Sequence, residues 1–244
     1  MIPVFLLISA ILALGSFVQG LTGFGLALTS VPLLSLVVGV KTAVPLAGLF
    51  GWLVTFPIVW AMREHIQWKA ALVLFVGSLP GSWLGAEMLK RLPGEAILLA
   101  MGVVLVLSSI YALIAKGPVI KRAPTSATLL TGFFSGALGA SVGEPGPPVI
   151  AYASLLPWSA DQAKSTLVCF FMLQMAGAVF SFYQKDLLTA AVLTHFVQSI
   201  PAFIVGLVLG MTGYAMLQRF KINYHHLVHG CLVVIGAVLI VKSI

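Results

Sequence analysis

The sequence predicts an all-α polytopic membrane protein, on three observations. Of its 244 residues, 60% are hydrophobic and only 8% charged, where a soluble domain carries roughly 25% charged residues. Several charge-free stretches exceed the ~18 residues that cross a bilayer as a helix. Glycine and proline, which usually punctuate loops, recur in the middle of two of these stretches.

The first element follows from length. No charge precedes Lys41, and about 40 residues in one helix would measure about 60 Å, twice the hydrocarbon thickness. The segment must fold back, and the natural break is Gly20-Leu-Thr-Gly-Phe-Gly25. Each arm then has about 16 residues, slightly short for a full span, so the tip is expected to end within the membrane. Three spans follow at 42–62, 70–88 and 96–115. Gly117, Pro118, Lys121, Arg122 and Pro124 mark 117–125 as a linker between a first half, 1–116, and a second half, 126–244. The second half repeats the plan as one transmembrane unit with the first: a hairpin over 126–157, then spans at 166–183, 187–210 and 226–241.

The two halves also match in sequence. FVQGLTGFGLALTSVP at 17–32 and FFSGALGASVGEPGPP at 133–148 align at an offset of 116, pairing Phe17 with Phe133, Gly20 with Gly136, Gly23 with Gly139 and Pro32 with Pro148. Ser78-Leu-Pro80 with Gly85 matches Ser199-Ile-Pro201 with Gly206, Met88 and Arg91 match Met216 and Arg219, and Gly102 matches Gly230. A hairpin returns to its own side, so three segments per half cross. Three is odd, and the halves are expected to be inverted repeats with a site where they meet. Arg63, Lys69, Lys116, Lys121, Arg122, Lys164, Arg219 and Lys221 fall on one side, against Lys41, Lys90, Arg91, Lys185 and Lys242 on the other. The first side is therefore expected to be cytoplasmic, and Trp60, Trp68 and Trp158 fall at the same boundary.

Several classes are disfavoured. The net charge of +7 is scattered over short loops, which argues against nucleic acid. Cys169 and Cys231 lie in apolar segments and read as buried hydrophobes rather than a disulfide. The apolar N-terminus lacks the basic region of a signal peptide and is expected to remain. No phosphate loop, G-x-S-x-G elbow or H-E-x-x-H helix is present. A carrier is expected rather than an enzyme or an ATP-driven pump, with no catalytic residues, cofactor or metal.

The chemistry gathers at the breaks. A helix broken inside a membrane leaves backbone groups unpaired, which is tolerated only where they are buried in protein or line a wet cavity. Helix N-termini there offer N–H donors and partial positive charge, a ready anion site. The candidate substrate-binding residues are Gln19, Gly20, Thr22, Gly23, Phe24 and Gly25 in the first hairpin and Gly136, Gly139, Ser141 and Gly143 in the second, with Thr29 and Ser135 as further donors. The competing reading of the glycines is close helix packing. Glu144, the acidic residue deep in an apolar segment, is the candidate coupling group, since intramembrane carboxylates mark ion paths and proton relays; capping the next helix is its plainer role. Gln174, His195 and Gln198 are candidate cavity-lining residues, or interhelical hydrogen-bond partners. Lys41 and Lys164 read as interfacial cations and His225, His226 and His229 as an interfacial patch. A divalent metal ion carrier or channel built on Glu144 and His195 is the alternative function; an enzyme pairing Ser199 with His195 lacks an orienting third group.

Gly15-Ser-Phe-Val-Gln-Gly-Leu-Thr-Gly-Phe-Gly25 followed by Pro32, echoed at 132–148, resembles the TauE/SafE sulfite exporter family, and the resemblance extends over essentially the whole chain. It implies a multi-pass secondary carrier of the plasma (inner) membrane of prokaryotes. Its cargo would be sulfite or an organosulfonate such as sulfoacetate, moved outward; coupling to protons is the expectation that Glu144 carries. The implied partners are that small anion, membrane lipid, protons and a second copy of the chain. The implied site lies around 20–25 and 136–143, with one departure: Gly25 is matched by Ser141 in the second copy.

Overall fold

The computed structural model describes residues 3–22, 25–114, 120, 123–220 and 237–241. The last expected span lies mostly outside them, as do Gly23, Phe24, Cys231, His225, His226, His229 and most of the linker. The described elements are helical: α1 (Val4–Thr22), α2 (Leu26–Val38), α3 (Val40–Met62), α4 (Trp68–Arg91), α5 (Gly94–Ile114), α6 (Thr125–Val142), α7 (Gly146–Ser154), α8 (Ala160–Gln184) and α9 (Ala190–Phe220). Among the described residues, α1, α3, α4, α5, α8 and α9 contain segments long and apolar enough to span a bilayer. A helix satisfies its own backbone hydrogen bonds, so it is the form an apolar run adopts in lipid. Large side chains such as Leu107, Val197 and Tyr183 are more than half exposed, as lipid-facing residues are.

Each boundary has a local cause. Ser159 and Gln162 form a reciprocal capping box at the start of α8, with bonds of 3.0 and 3.1 Å. Pro93 stops α4, whose last turn closes from the Leu92 N–H to the Met88 carbonyl at 2.9 Å. Gly25 and Gly143, at φ 112° and 81°, make the two hairpin breaks, in a region that costs a side-chain-bearing residue ~1–2 kcal/mol.

Both hairpins form, with unequal arms: 19 and 13 residues in the first, rather than the even 16 expected, and 18 and 9 in the second. Each break closes at the last glycine of the expected stretch, 20–25 in the first hairpin and 136–143 in the second. Gly20, Gly136 and Gly139 lie inside helices. The break glycine that answers Gly25 is Gly143, not Ser141, so the second copy keeps its third glycine, displaced by two positions.

The helical glycines pack the halves together. A methyl group on Gly77, Gly81 or Gly85 of α4 would strike the carbonyl of Leu129, Phe133 or Ala137 in α6. One on Gly136 would strike the Ser78 carbonyl of α4. The same contact recurs between α9 and α1: Gly206 and Gly210 face the carbonyls of Ala13 and Phe17, and Gly20 faces that of Leu207. Contacts advance in the same sense along both members, so each pair is parallel. With the hairpins at offset 116, these contacts set Gly206, Gly210 and Leu207 in the places of Gly77, Gly81 and Ser78, an offset of 129. The Ser-x-Pro match is thus displaced by eight positions from the packing equivalence.

The remaining helices are held at both ends. The Gln67 N–H donates to Thr166 Oγ1 at 2.9 Å where α4 and α8 start. Lys185 pairs with Glu87 at 2.5 Å, and Lys90 with Asp186 at 3.3 Å, where they finish. Arg91 also pairs with Glu87. α4 and α8 therefore run parallel, while α3 runs against α8, with Gly48 near Met175 and Phe182 and Val59 near Val168 and Cys169. Phe50 of α3 stacks on Phe196 and Phe203 of α9 at 4.7 and 4.8 Å.

Gly81→Ala is expected to cost about 1–3 kcal/mol, because a methyl group has no room against the Phe133 carbonyl. Gly94→Ala, which meets nothing nearer than Val40 at 3.7 Å, is the control. Thermal unfolding in detergent should drop several degrees for the first and stay level for the second.

Candidate functional site

The two hairpin tips meet α3 and α8 around one cavity of about 130 Å³. Gln19 comes from α1, and Gly25, Leu26, Ala27 and Leu28 from the first break. Val44, Ala47, Gly48, Gly51, Val54 and Thr55 come from α3. Gly139, Gly143, Glu144, Pro145, Gly146 and Ile150 come from the second hairpin, and Val168, Phe171, Gln174 and Met175 from α8. Clefts for drug-sized ligands run to roughly 300–1,000 Å³, so this cavity suits a small ion or molecule.

The first break supplies donors. Gln19 Oε1 accepts the Leu26 N–H at 3.0 Å, a side chain of one arm capping the other. Thr29 N–H bonds to the Gly25 carbonyl at 3.0 Å and begins the helical ladder. The amides of Ala27 and Leu28 belong to the first turn, where helix geometry gives no internal partner. Both residues line the cavity, where the α2 N-terminus also contributes partial positive charge.

The second break is built differently. Gly143 and Glu144 turn their amides back onto the Leu138 carbonyl, and Ser135 Oγ donates to the Pro145 carbonyl at 2.7 Å, tying the tip to α6. Proline at 147 and 148 removes two of the first-turn donors of α7. In their place stands Glu144, 2% exposed, with Oε1 unpaired. Beside it Gln174 is fully buried; its Nε2 donates to Ser82 at 3.2 Å and its Oε1 is unpaired. Among the described residues lining the cavity, Glu144 is the one ionisable side chain.

Six candidates from the sequence therefore share the cavity: Gln19, Gly25, Gly139, Gly143, Glu144 and Gln174. Gly20 and Gly136 pack against α9 and α4 instead. Ser141 bonds back to the Ala137 carbonyl in its own helix at 2.7 Å, and Thr29 does the same to Gly25 at 2.8 Å. His195 and Gln198 are on α9, away from the lining; Gln198 is exposed and His195 Nδ1 is buried without a partner. Gly23, Phe24 and the Thr22 side chain are outside the described residues. Among the described residues no three His, Cys, Asp or Glu gather as metal ligands.

Sequence reasoning missed the α3 wall. Ala47, Gly48 and Gly51, with Thr55 one turn on, form a small-residue face within the 42–62 span, and that spacing was the available signal. Thr55 is itself occupied, donating to the Trp52 carbonyl at 2.6 Å.

The family model for Sulfite exporter TauE/SafE matches residues 7–240. A curated protein from Cupriavidus necator strain H16, described as a probable sulfite/organosulfonate exporter TauE, is 26% identical over 251 residues, covering 97% of this chain and 94% of that protein. No solved structure matches the chain. With nearly its full length matched, and with helices apolar enough to span a bilayer several times, the chain is a multi-pass membrane protein of the TauE/SafE sulfite exporter family.

Proposed function

We propose that this chain is a secondary carrier that exports a small sulfur-containing anion, sulfite or an organosulfonate, across the plasma membrane, with Glu144 as its proton-coupling group. The observation that carries the reading is the cavity between the hairpin tips, where the N-terminus of α2 faces a buried carboxylate. Backbone N–H groups and a helix dipole recognise an oxyanion without a fixed cation. The relative described as a probable sulfite/organosulfonate exporter supports the choice of cargo.

Inverted repeats are part of the proposal. Parallel packing of α4 with α6 and α8, and of α1 with α9, supports it. As α9 follows α8 after a short turn, α1 then runs against α6, and the hairpins enter from opposite faces. Their tips would meet on the axis relating the halves, and rocking of one half against the other would open the cavity to each side in turn.

Gly139→Val inserts bulk where even a Cβ would sit 2.9 Å from Gln174 Nε2 and from Pro145. Counterflow of labelled sulfite in proteoliposomes should fall at least about tenfold, as expected when a close-packed site is overfilled; unchanged counterflow would remove the tip site from the mechanism. Glu144→Gln should leave net flux insensitive to an imposed pH gradient. Gradient dependence that survives this change would assign coupling elsewhere.

A further inference from the structure

An anion site lined, among the described residues, by a carboxylate and no cation has a definite consequence for charge. Glu144 is 2% exposed with an unpaired Oε1, and the neighbouring acceptor, Gln174 Oε1, is also buried and unpaired. Among the described residues no charged side chain other than Glu144 lines the cavity. Lys41 at the start of α3 donates to the Lys90 carbonyl at 2.7 Å. Asp161 and Lys164 are in the first turns of α8. Cys169 of α8 packs with Val59, Ile66 and Ala71, and Tyr152 of α7 bonds to Thr128 at 3.0 Å. The described parts of α1, α2 and α6 carry no ionisable side chain, and His195 of α9 is off the cavity lining.

A bound oxyanion and an ionised Glu144 would then be two negative charges in one small, mostly apolar cavity of about 130 Å³, and they repel strongly where the surroundings are of low dielectric. A protonated Glu144 removes the repulsion and adds an O–H donor for the anion. We propose that each anion crosses together with one proton carried on Glu144, in the same direction, so that a monoanion moves without net charge. The proton comes from water on the loading side and returns to water on the release side, where the departing anion leaves the carboxylate to hydrate and ionise. An exchange of anion for proton would need the charged pair to share the cavity and is excluded by the same repulsion. Cargo that accumulates inside would leave as the equivalent of its neutral acid, driven by its own gradient, with a more acidic exterior opposing exit and membrane voltage without effect. This inference rests on the anion-carrier reading above.

The test uses the intact protein in proteoliposomes and ³⁵S-labelled ethanesulfonate, a monoanion whose sulfonate takes up no proton at working pH. Counterflow without any gradient first reads the carrier itself; its absence overturns the carrier reading and this inference with it. Given counterflow, an inwardly directed acid gradient of one unit should drive about tenfold accumulation, the ratio one proton per anion implies. A trapped pH dye should record one proton entering per anion, and a potassium diffusion potential should have no effect. Accumulation driven by the opposite gradient, or by voltage in the native protein, would overturn the proposal while leaving the carrier intact. In Glu144→Gln the pH-driven accumulation should disappear and voltage dependence should emerge. The stoichiometry is measured on the native protein, so the decision does not depend on that variant folding.

Discussion

The constraint on which the rest depends is that a backbone broken inside a membrane must find partners for the amides and carbonyls it frees. The chain accepts two such breaks, and each is resolved with local material. Gln19 reaches across to cap Leu26. Ser135 holds the Pro145 carbonyl, and the Leu138 carbonyl takes the Gly143 and Glu144 amides. Beside the closed breaks stand the unpaired Glu144 Oε1 and Gln174 Oε1, whose residues line a common cavity. The cavity is thus a consequence of how the breaks are closed.

Small residues make the arrangement possible. In lipid there is no hydrophobic force between helices, so association rests on close packing. The parallel α4–α6 and α1–α9 pairs bring backbones together at glycines and lock each hairpin's long arm to a full span from the other half. The long arms become scaffold, and the short arms α2 and α7 bring their N-termini to the cavity. The ion pairs of Glu87 with Lys185 and of Lys90 with Asp186 clamp the shared end of α4 and α8.

Much of this was legible in the residues. Charge-free length forced the first hairpin, and the repeat of Phe17–Gly20 at Phe133–Gly136 announced the second. Both readings of the glycines apply, but at different positions: Gly20 and Gly136 pack helices, while Gly25 and Gly143 break them. Sequence alignment could not separate these roles, because a glycine needed for close approach and one needed for positive φ are the same letter. The break drifted by two residues between copies, which hid the match of Gly25 to Gly143 behind Ser141. Glu144 and Gln174 were recognisable as polar residues in apolar runs, yet so were His195 and Gln198, and only the three-dimensional packing separates them. The α3 wall was obscure for the opposite reason, since Ala47, Gly48 and Gly51 look like ordinary packing residues.

Both hairpins break at a positive-φ glycine and both tips line the cavity, yet the two tips differ in chemistry. At the first tip the helix N-terminus keeps its donors; at the second, proline at 147 and 148 removes donors and Glu144 supplies a carboxylate. Two donor-rich tips would hold an oxyanion from both sides in every state, and tight binding that is equal in all states favours no transition between them. With one carboxylate wall, the anion's hold depends on whether that wall is protonated. Under the proposed mechanism release would follow from ionisation of Glu144, and a single unduplicated residue would give the scaffold the means to let its cargo go.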